Sequence, residues 1–360
     1  MIALNSPLKP DLKKLHQYLE KVNSSGWFTN FGPLHNELTD RLEDYLGVKN
    51  LLLVSNGTVA LQLAGRALGV DNLITTPFSF VATSSAFQWQ KDTISFADID
   101  RQSYNLCPDA TSRALTQDPA LDTILATHVY GNPCDVKGFE SLGKEKNVKV
   151  IYDAAHTFGI KVGDQSVLSY GDASTLSFHA TKLFHTVEGG AVVFKDKQHF
   201  EKAKLLINFG IEPDKGIVET GVNGKLNEYQ AAVGLVNLER MDIVLQHRAE
   251  LFSQYITGLK DVVELPKWHS EANYNGAYMP IKLKNSQQAS KLITKLAESN
   301  IQSRTYFSPA LDSVFTECKN HGTPNSDAVT DGVLCLPLHV EMTAEDVDKV
   351  ICKIKESGVL

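Results

Sequence analysis

Between residues 50 and 195, short apolar runs alternate with stretches whose apolar positions recur at helical spacing. NLLLVS precedes VALQLAGRALG, and LITT precedes VATSSAFQW. TISFAD, DTILATHVYG with a helical stretch behind it, VKVIYDA, ASTLSFH and GGAVVF follow. Short continuous apolar runs set between helices are the mark of strands covered on both faces. The pattern predicts an α/β fold with a mainly parallel sheet, helices on either side, and ligand chemistry at the carboxyl ends of the strands.

Beyond about residue 235 the texture changes. A long helical stretch, EYQAAVGLVNLERMDIVLQHRAELFSQYITGL, leads to a strand in GAYMPIKL, a helix in QQASKLITKLAESN and a second strand in IQSRTYF. A last strand in VLCLPL and a helix in AEDVDKVICKIKE complete the pattern. The expected organisation is a large domain over residues 1–240 and a smaller α+β domain over residues 241–360. No internal repeat or low-complexity tract interrupts it.

Composition narrows the function classes. A chain of 360 residues with 42% hydrophobic content builds a sizeable core. A net charge of −7 offers no basic footprint for nucleic acid. The start, MIALNSPLKPDLKKL, lacks the apolar core of a signal peptide, and no run approaches the roughly 18 apolar residues of a membrane span. A soluble, cytoplasmic protein with no membrane partner is expected. The five cysteines are scattered and never form a CxxC pair, which argues against a disulfide framework or a zinc site. Cys134, after a Gly-Asn-Pro turn, reads as a half-buried thiol.

Candidate chemistry gathers at the strand ends. Gly57 and Thr58 in VSNGTVALQL open a helix, where free backbone N–H groups and the helix dipole can receive an anion, although a capped turn explains SNGT as well. Ser177, at another strand end, can donate a hydroxyl to the same anion. Asp153 closes the strand of VIYDAAHTFG, and Lys182 follows it by 29 positions in TLSFHATKLFHTVEGGAVVF. A carboxylate fixed at a strand end can pair with a pyridinium nitrogen, and an amine two elements later can form an imine with an aldehyde. That pairing suits pyridoxal 5'-phosphate. His179, His185 and His128 fit no zinc spacing, and no metal is expected.

SNGTVAL, PFSFVAT, HVYGNPCDV, YDAAHTFG, SFHATK, EGGAVV, GVNGKLNEYQAAVG and LCLPLHVEMTAEDVDKV occur in this order. Together they resemble the DegT/DnrJ/EryC1/StrS nucleotide-sugar aminotransferases over roughly residues 25 to 355. The resemblance implies the aspartate-aminotransferase fold (fold type I) and a homodimer with shared active sites. It makes Lys182 both the covalent anchor of the cofactor and its general acid/base, and Asp153 the partner of the ring nitrogen. His156 falls near the ring's phenolic oxygen, as a neutral or charged donor, and one of the three phenylalanines of PFSFVATSSAF, Phe80, stacks on the ring. Gly57, Thr58 and Ser177 form the phosphate cup. Asn223 reaches the phosphate of the partner subunit's cofactor from a loop in which Val222 and Lys225 stand where Tyr and Arg are common; a lysine lacks the arginine fork.

Substrate contacts implied by the resemblance fall on Thr29, Asn30, His179, Glu188 and Tyr306. The lysine separates the chain from the related dehydratases, which carry histidine there. The run SFHATKLFHTVEGG looks closest to enzymes that convert dTDP-4-keto-6-deoxyglucose, with L-glutamate as donor, to the 4-amino-4,6-dideoxy sugar of bacterial surface polysaccharides. A 3-keto sugar nucleotide and a non-catalytic cofactor-binding regulator are the alternatives. No single arginine is marked as the clamp for the donor's carboxylate.

Overall fold

A computed structural model describes residues 1–360. Seven strands build most of the central sheet: β1 (Leu51–Val54), β2 (Asn72–Thr75), β3 (Thr93–Phe96), β4 (Thr123–Thr127), β5 (Lys149–Asp153), β6 (Ala173–Ser177) and β7 (Gly190–Phe194). Two strands form a separate antiparallel ribbon, β8 (Met279–Lys282) and β10 (Val333–Leu336). Between them in sequence, β9 (Lys319–Asn320) returns to the edge of the large sheet beside β3. The large sheet runs in the order β1-β7-β6-β5-β4-β2-β3-β9, and β7 alone is antiparallel to its neighbours.

Each apolar run serves two cores because successive side chains leave a strand on opposite faces. Leu51 and Leu53 pack into one hydrophobic cluster, while Leu52 and Val54 pack into the other. Val150 and Tyr152 separate in the same way from Ile151, as do Ile124 and Ala126 from Leu125. Every residue of β1, β4 and β7 is buried. A run that alternated apolar with polar would have left one face wet, so the continuous runs read correctly as strands sandwiched between helical layers.

The single reversed strand matters for the site. Because β7 runs backwards, its first residue, Gly190, lies at the carboxyl edge of the sheet, paired with Val54 on one side and Ser177 on the other. A side chain there would meet Leu176 O at 2.7 Å and the Asn56 backbone at 2.8 Å, so glycine is required by close approach. The loop carrying Glu188 is thereby delivered to the same edge as Asp153 and Ser177.

A separate core forms where the helices Met241–Leu259, Ser286–Glu298 and Ala344–Lys355 cover the β8–β10 ribbon, the region proposed as a small domain. Ile2 joins this core through a bridge to Ile301, so the amino-terminal residues pack with the small domain while β9 packs with the large sheet. Two local expectations differ. The long helical stretch is two helices, Glu228–Leu238 and Met241–Leu259, broken at Glu239 and Arg240. There the Arg240 guanidinium donates to Lys9 O at 2.9 Å and the Glu239 carboxylate meets Lys14. IQSRTYF is not a strand: it makes single bridges at Ile301 and Arg304 and then turns toward the large domain, where the Tyr130 hydroxyl donates to Tyr306 O.

Candidate active site

The carboxyl edge of the sheet opens into a cavity of about 430 Å³. Asp153, the last residue of β5, sits on its floor, only 7% exposed. Its Oδ2 accepts from the Thr83 hydroxyl at 2.8 Å and its Oδ1 from Ala155 N at 3.2 Å. Ser79 links the Thr83 hydroxyl to that of Thr127, at 2.7 and 3.1 Å. Burial pushes the Asp153 carboxyl up, while the hydrogen bonds from Thr83 and Ala155 and the charge of Lys182 pull it back. A cation placed against this carboxylate would gain a fixed, largely dehydrated counter-charge.

Lys182 emerges from the turn after β6, where its N–H donates to His179 O at 2.8 Å. Enclosure by protein lowers its amine to about 8, with Asp153 opposing the shift. About a tenth of this amine is therefore unprotonated at neutrality, far more than for an ordinary lysine, as a nucleophile requires. His156 is buried, with its ring 4.8 Å from that of Tyr278, and its Nδ1 has no partner in the chain. Burial, reinforced by Lys182 and His128, holds the imidazole well below its usual range, so the ring is neutral and has one N–H to donate.

Gly57, Thr58 and Ser177 also line the cavity. Asn56 caps the helix Gly57–Leu68 by accepting from Val59 N at 2.9 Å, which leaves the Gly57 and Thr58 amides without protein acceptors. Gly57 is pressed against Ser177: an added Cβ would lie 2.9 Å from the serine Cβ. Two backbone donors, a hydroxyl and a helix dipole therefore converge on one point. Of the three phenylalanines in PFSFVATSSAF, Phe78 and Phe87 are fully buried in separate apolar clusters, and Phe80 is 55% exposed and lines the cavity. Of the three, Phe80 alone faces the cavity.

His179, Glu188 and Tyr306 also line the cavity, the first two 3.6 Å apart as an ion-pair geometry. Thr29, Asn30 and Asn223 do not. Thr29 and Asn30 lie exposed between the helices Leu12–Ser25 and Pro33–Leu46, and Asn223 is exposed in a segment bridged to Asn208. Lys225 nearby donates to Asn208 Oδ1 at 3.0 Å and covers the Phe209 ring. His185 is engaged away from the cavity with Leu8 O, and His128 stacks on Tyr152. The Cys134 thiol is buried against Thr127 O and held well above its usual range. Sequence reasoning missed Thr83, Tyr278 and Arg304; the first stood in the quoted PFSFVAT run, but only tertiary contact ties it to Asp153.

A family model for the DegT/DnrJ/EryC1/StrS aminotransferases matches residues 11–355. The chain belongs to the DegT/DnrJ/EryC1/StrS aminotransferase family. A dTDP-4-amino-4,6-dideoxy-D-glucose transaminase of Shigella dysenteriae is 38% identical to this aminotransferase over 99% of the chain and 98% of its own length. One of Escherichia coli with the same name is 34% identical over 97% and 96%. Among solved structures, DesI in the presence of its TDP-sugar product aligns with a TM-score of 0.92 at 28% identity, covering 99% of this chain and 92% of that one. The sugar aminotransferase CalS13 from Micromonospora echinospora shares the fold at a TM-score of 0.92 and 24% identity, over 99% and 100%. The fold is type I, and the protein is a pyridoxal-phosphate-dependent sugar aminotransferase acting on a nucleotide sugar.

The cavity fits that cofactor. A buried carboxylate, a helix start with free amides beside a serine hydroxyl, an amine and a neutral imidazole with an unpartnered ring nitrogen, all lining one cavity, suit a cationic ring nitrogen, a phosphate, an aldehyde and a phenolic oxygen. No helix of the aminotransferase is long and apolar enough to cross a membrane.

Proposed function

We propose that the protein transfers the amino group of L-glutamate to C4 of dTDP-4-keto-6-deoxy-D-glucose, giving the 4-amino-4,6-dideoxy sugar nucleotide for surface polysaccharide. The observation that carries this reading is full-length similarity, at 38% and 34% identity, to two relatives named for that amino sugar. When bound, pyridoxal 5'-phosphate supplies an aldehyde that accepts the amine and a ring that accepts an electron pair.

The chain's own groups do the rest. Lys182 would hold the cofactor covalently between substrates. Its Nζ, when free, would take the proton released from the α-carbon of the donor and would deliver a proton to the sugar carbon that acquires the amine. Asp153, braced by Thr83, holds a proton on the ring nitrogen. His156 donates its one N–H to the ring oxygen, and Phe80 covers the ring face. Gly57, Thr58 and Ser177 hold the phosphate. His179, Glu188 and Tyr306 meet the sugar.

The active form in this reading is a homodimer. Support comes from the large apolar side chains this chain leaves exposed, among them Trp27, Phe28, Val187, Ile217 and Val222. Within a dimer, Thr29, Asn30 and Asn223 would complete the partner's site. The test is a side-by-side assay of dTDP-, UDP- and GDP-linked 3-keto and 4-keto sugars with L-glutamate, locating the new amine by NMR. The expected result is a C4 amine on the dTDP sugar; an amine at C3 with the 4-keto compound untouched would refute the reading.

A further inference from the structure

Only two lysine or arginine side chains line the cavity, Lys182 and Arg304. Lys182 stands beside Asp153 and belongs to the cofactor chemistry. Arg304 lines the same cavity and is linked to His156 through a continuous series of rings: His156 touches Tyr278, Tyr278 touches Tyr306 at 5.7 Å, and the Arg304 guanidinium lies 5.0 Å over the Tyr306 ring. The phosphate receptor proposed at Gly57, Thr58 and Ser177 has its own backbone and hydroxyl donors, so Arg304 is not needed to complete it.

Arg304 is also held and unspent. Its N–H donates to Cys335 O at 3.2 Å and its carbonyl accepts from Cys335 N at 2.8 Å, which ties the backbone to β10. The ring beneath restrains the side chain through a cation–π contact. It forms no ion pair with a carboxylate of the chain, whereas Glu188, the other exposed charge of the cavity, faces His179. A planar, permanently charged fork presented at a cavity mouth, with its donors free, is shaped to take an oxyanion in bidentate fashion.

We propose that Arg304 is the specificity-determining cation of the substrate half of the site and binds an oxyanion of the substrate, either the carboxylate of the amino donor or the diphosphate of the sugar nucleotide. This rests on the proposed function, and the two half-reactions separate the sources. Cofactor-loaded protein is mixed with L-glutamate, and the amine-loaded form with dTDP-4-keto-6-deoxyglucose. The half-saturating concentration of each is read from the absorbance change for the wild type, Arg304→Gln and Arg304→Lys.

Loss of a charged bidentate contact raises half-saturation about 10- to 100-fold in Arg304→Gln. Arg304→Lys, which keeps the charge and loses the fork, falls between. A rise confined to glutamate identifies the carboxylate, and a rise confined to the sugar nucleotide identifies the diphosphate. Binding of glutarate, a dicarboxylate without the amine, and of dTDP is measured in parallel by calorimetry, so Arg304 is tested even if neither substrate reacts. Failure of the wild type to react with either substrate would count against the proposed function. A wild type that binds these ligands, with unchanged half-saturation and unchanged glutarate and dTDP binding in both variants, would overturn the role of Arg304.

Discussion

The two walls of the cavity are built differently. The wall proposed to hold the cofactor consists of strand ends and the turns directly behind them: Asp153 on β5, Ser177 on β6, Gly57 at a capped helix start and Lys182 in the turn after β6. The other wall, with Tyr278, Arg304 and Tyr306, comes from connecting segments held by isolated bridges and ring contacts. A group at the end of a sandwiched strand is placed by the whole sheet, whereas a group on a connection is placed by a few local contacts and can change without disturbing the core. Chemistry common to all substrates should therefore sit on the first wall and discrimination between substrates on the second.

Variants of the first wall should lower the rate for every substrate alike. Lys182→Ala removes anchor and proton carrier together; turnover should fall by at least ~10⁴-fold with any donor, measured in single-turnover mixing. Recovery of the normal rate with one acceptor but not another would dissolve the distinction between the walls. Asp153→Asn leaves a hydrogen bond but no charge, and a fall in kcat of about 10² to 10³-fold is expected, with cofactor still bound. A kcat within a factor of three of wild type would show that the carboxylate does not tune the ring.

Acidity gives a comparison without mutation. Because burial lowers the Lys182 amine to about 8, its unprotonated fraction falls as pH drops below that value. The rate at which cofactor-free protein combines with added pyridoxal 5'-phosphate should fall about tenfold per pH unit below about 8 and level off above it. A profile still rising steeply above pH 10 would mean that the amine is not enclosed as described. Thr83→Val removes the hydroxyl that donates to Asp153 at 2.8 Å; kcat should drop roughly tenfold with KM little changed, and Thr83→Ser should restore it. No rescue by serine would point to packing instead. The smallest effect belongs to Phe80→Ala, with cofactor affinity weakened about 3- to 10-fold by equilibrium dialysis and the rate at saturation nearly intact.

Legibility in the sequence follows the same division. A strand end announces itself where an apolar run stops at a charged residue, as at Asp153, whereas Ser177 closes the mixed strand ASTLS and is marked by the ordered motifs around it. What depends on tertiary contact has no such mark. The tie between Thr83 and Asp153 links a helix after β2 to β5, 70 positions apart. The order of strands that makes them neighbours leaves no periodicity in the chain. IQSRTYF has the residue types of a strand, yet it pairs at single residues before turning to present Tyr306. The helix break at Glu239 and Arg240, where these side chains meet Lys14 and Lys9, likewise has no mark in the local periodicity. Residues 29, 30 and 223 lie outside the cavity of their own chain, and the dimer proposed above is what would bring them to a site.

The most direct measurement is chemical trapping of the cofactor on the wild-type protein. Reduction of the cofactor-loaded aminotransferase with borohydride, followed by peptide mass mapping, should place the adduct in the peptide containing Lys182 and nowhere else. An adduct on any other lysine would contradict the assignment of Lys182 as the anchor between Asp153 and the receptor at Gly57 and Ser177.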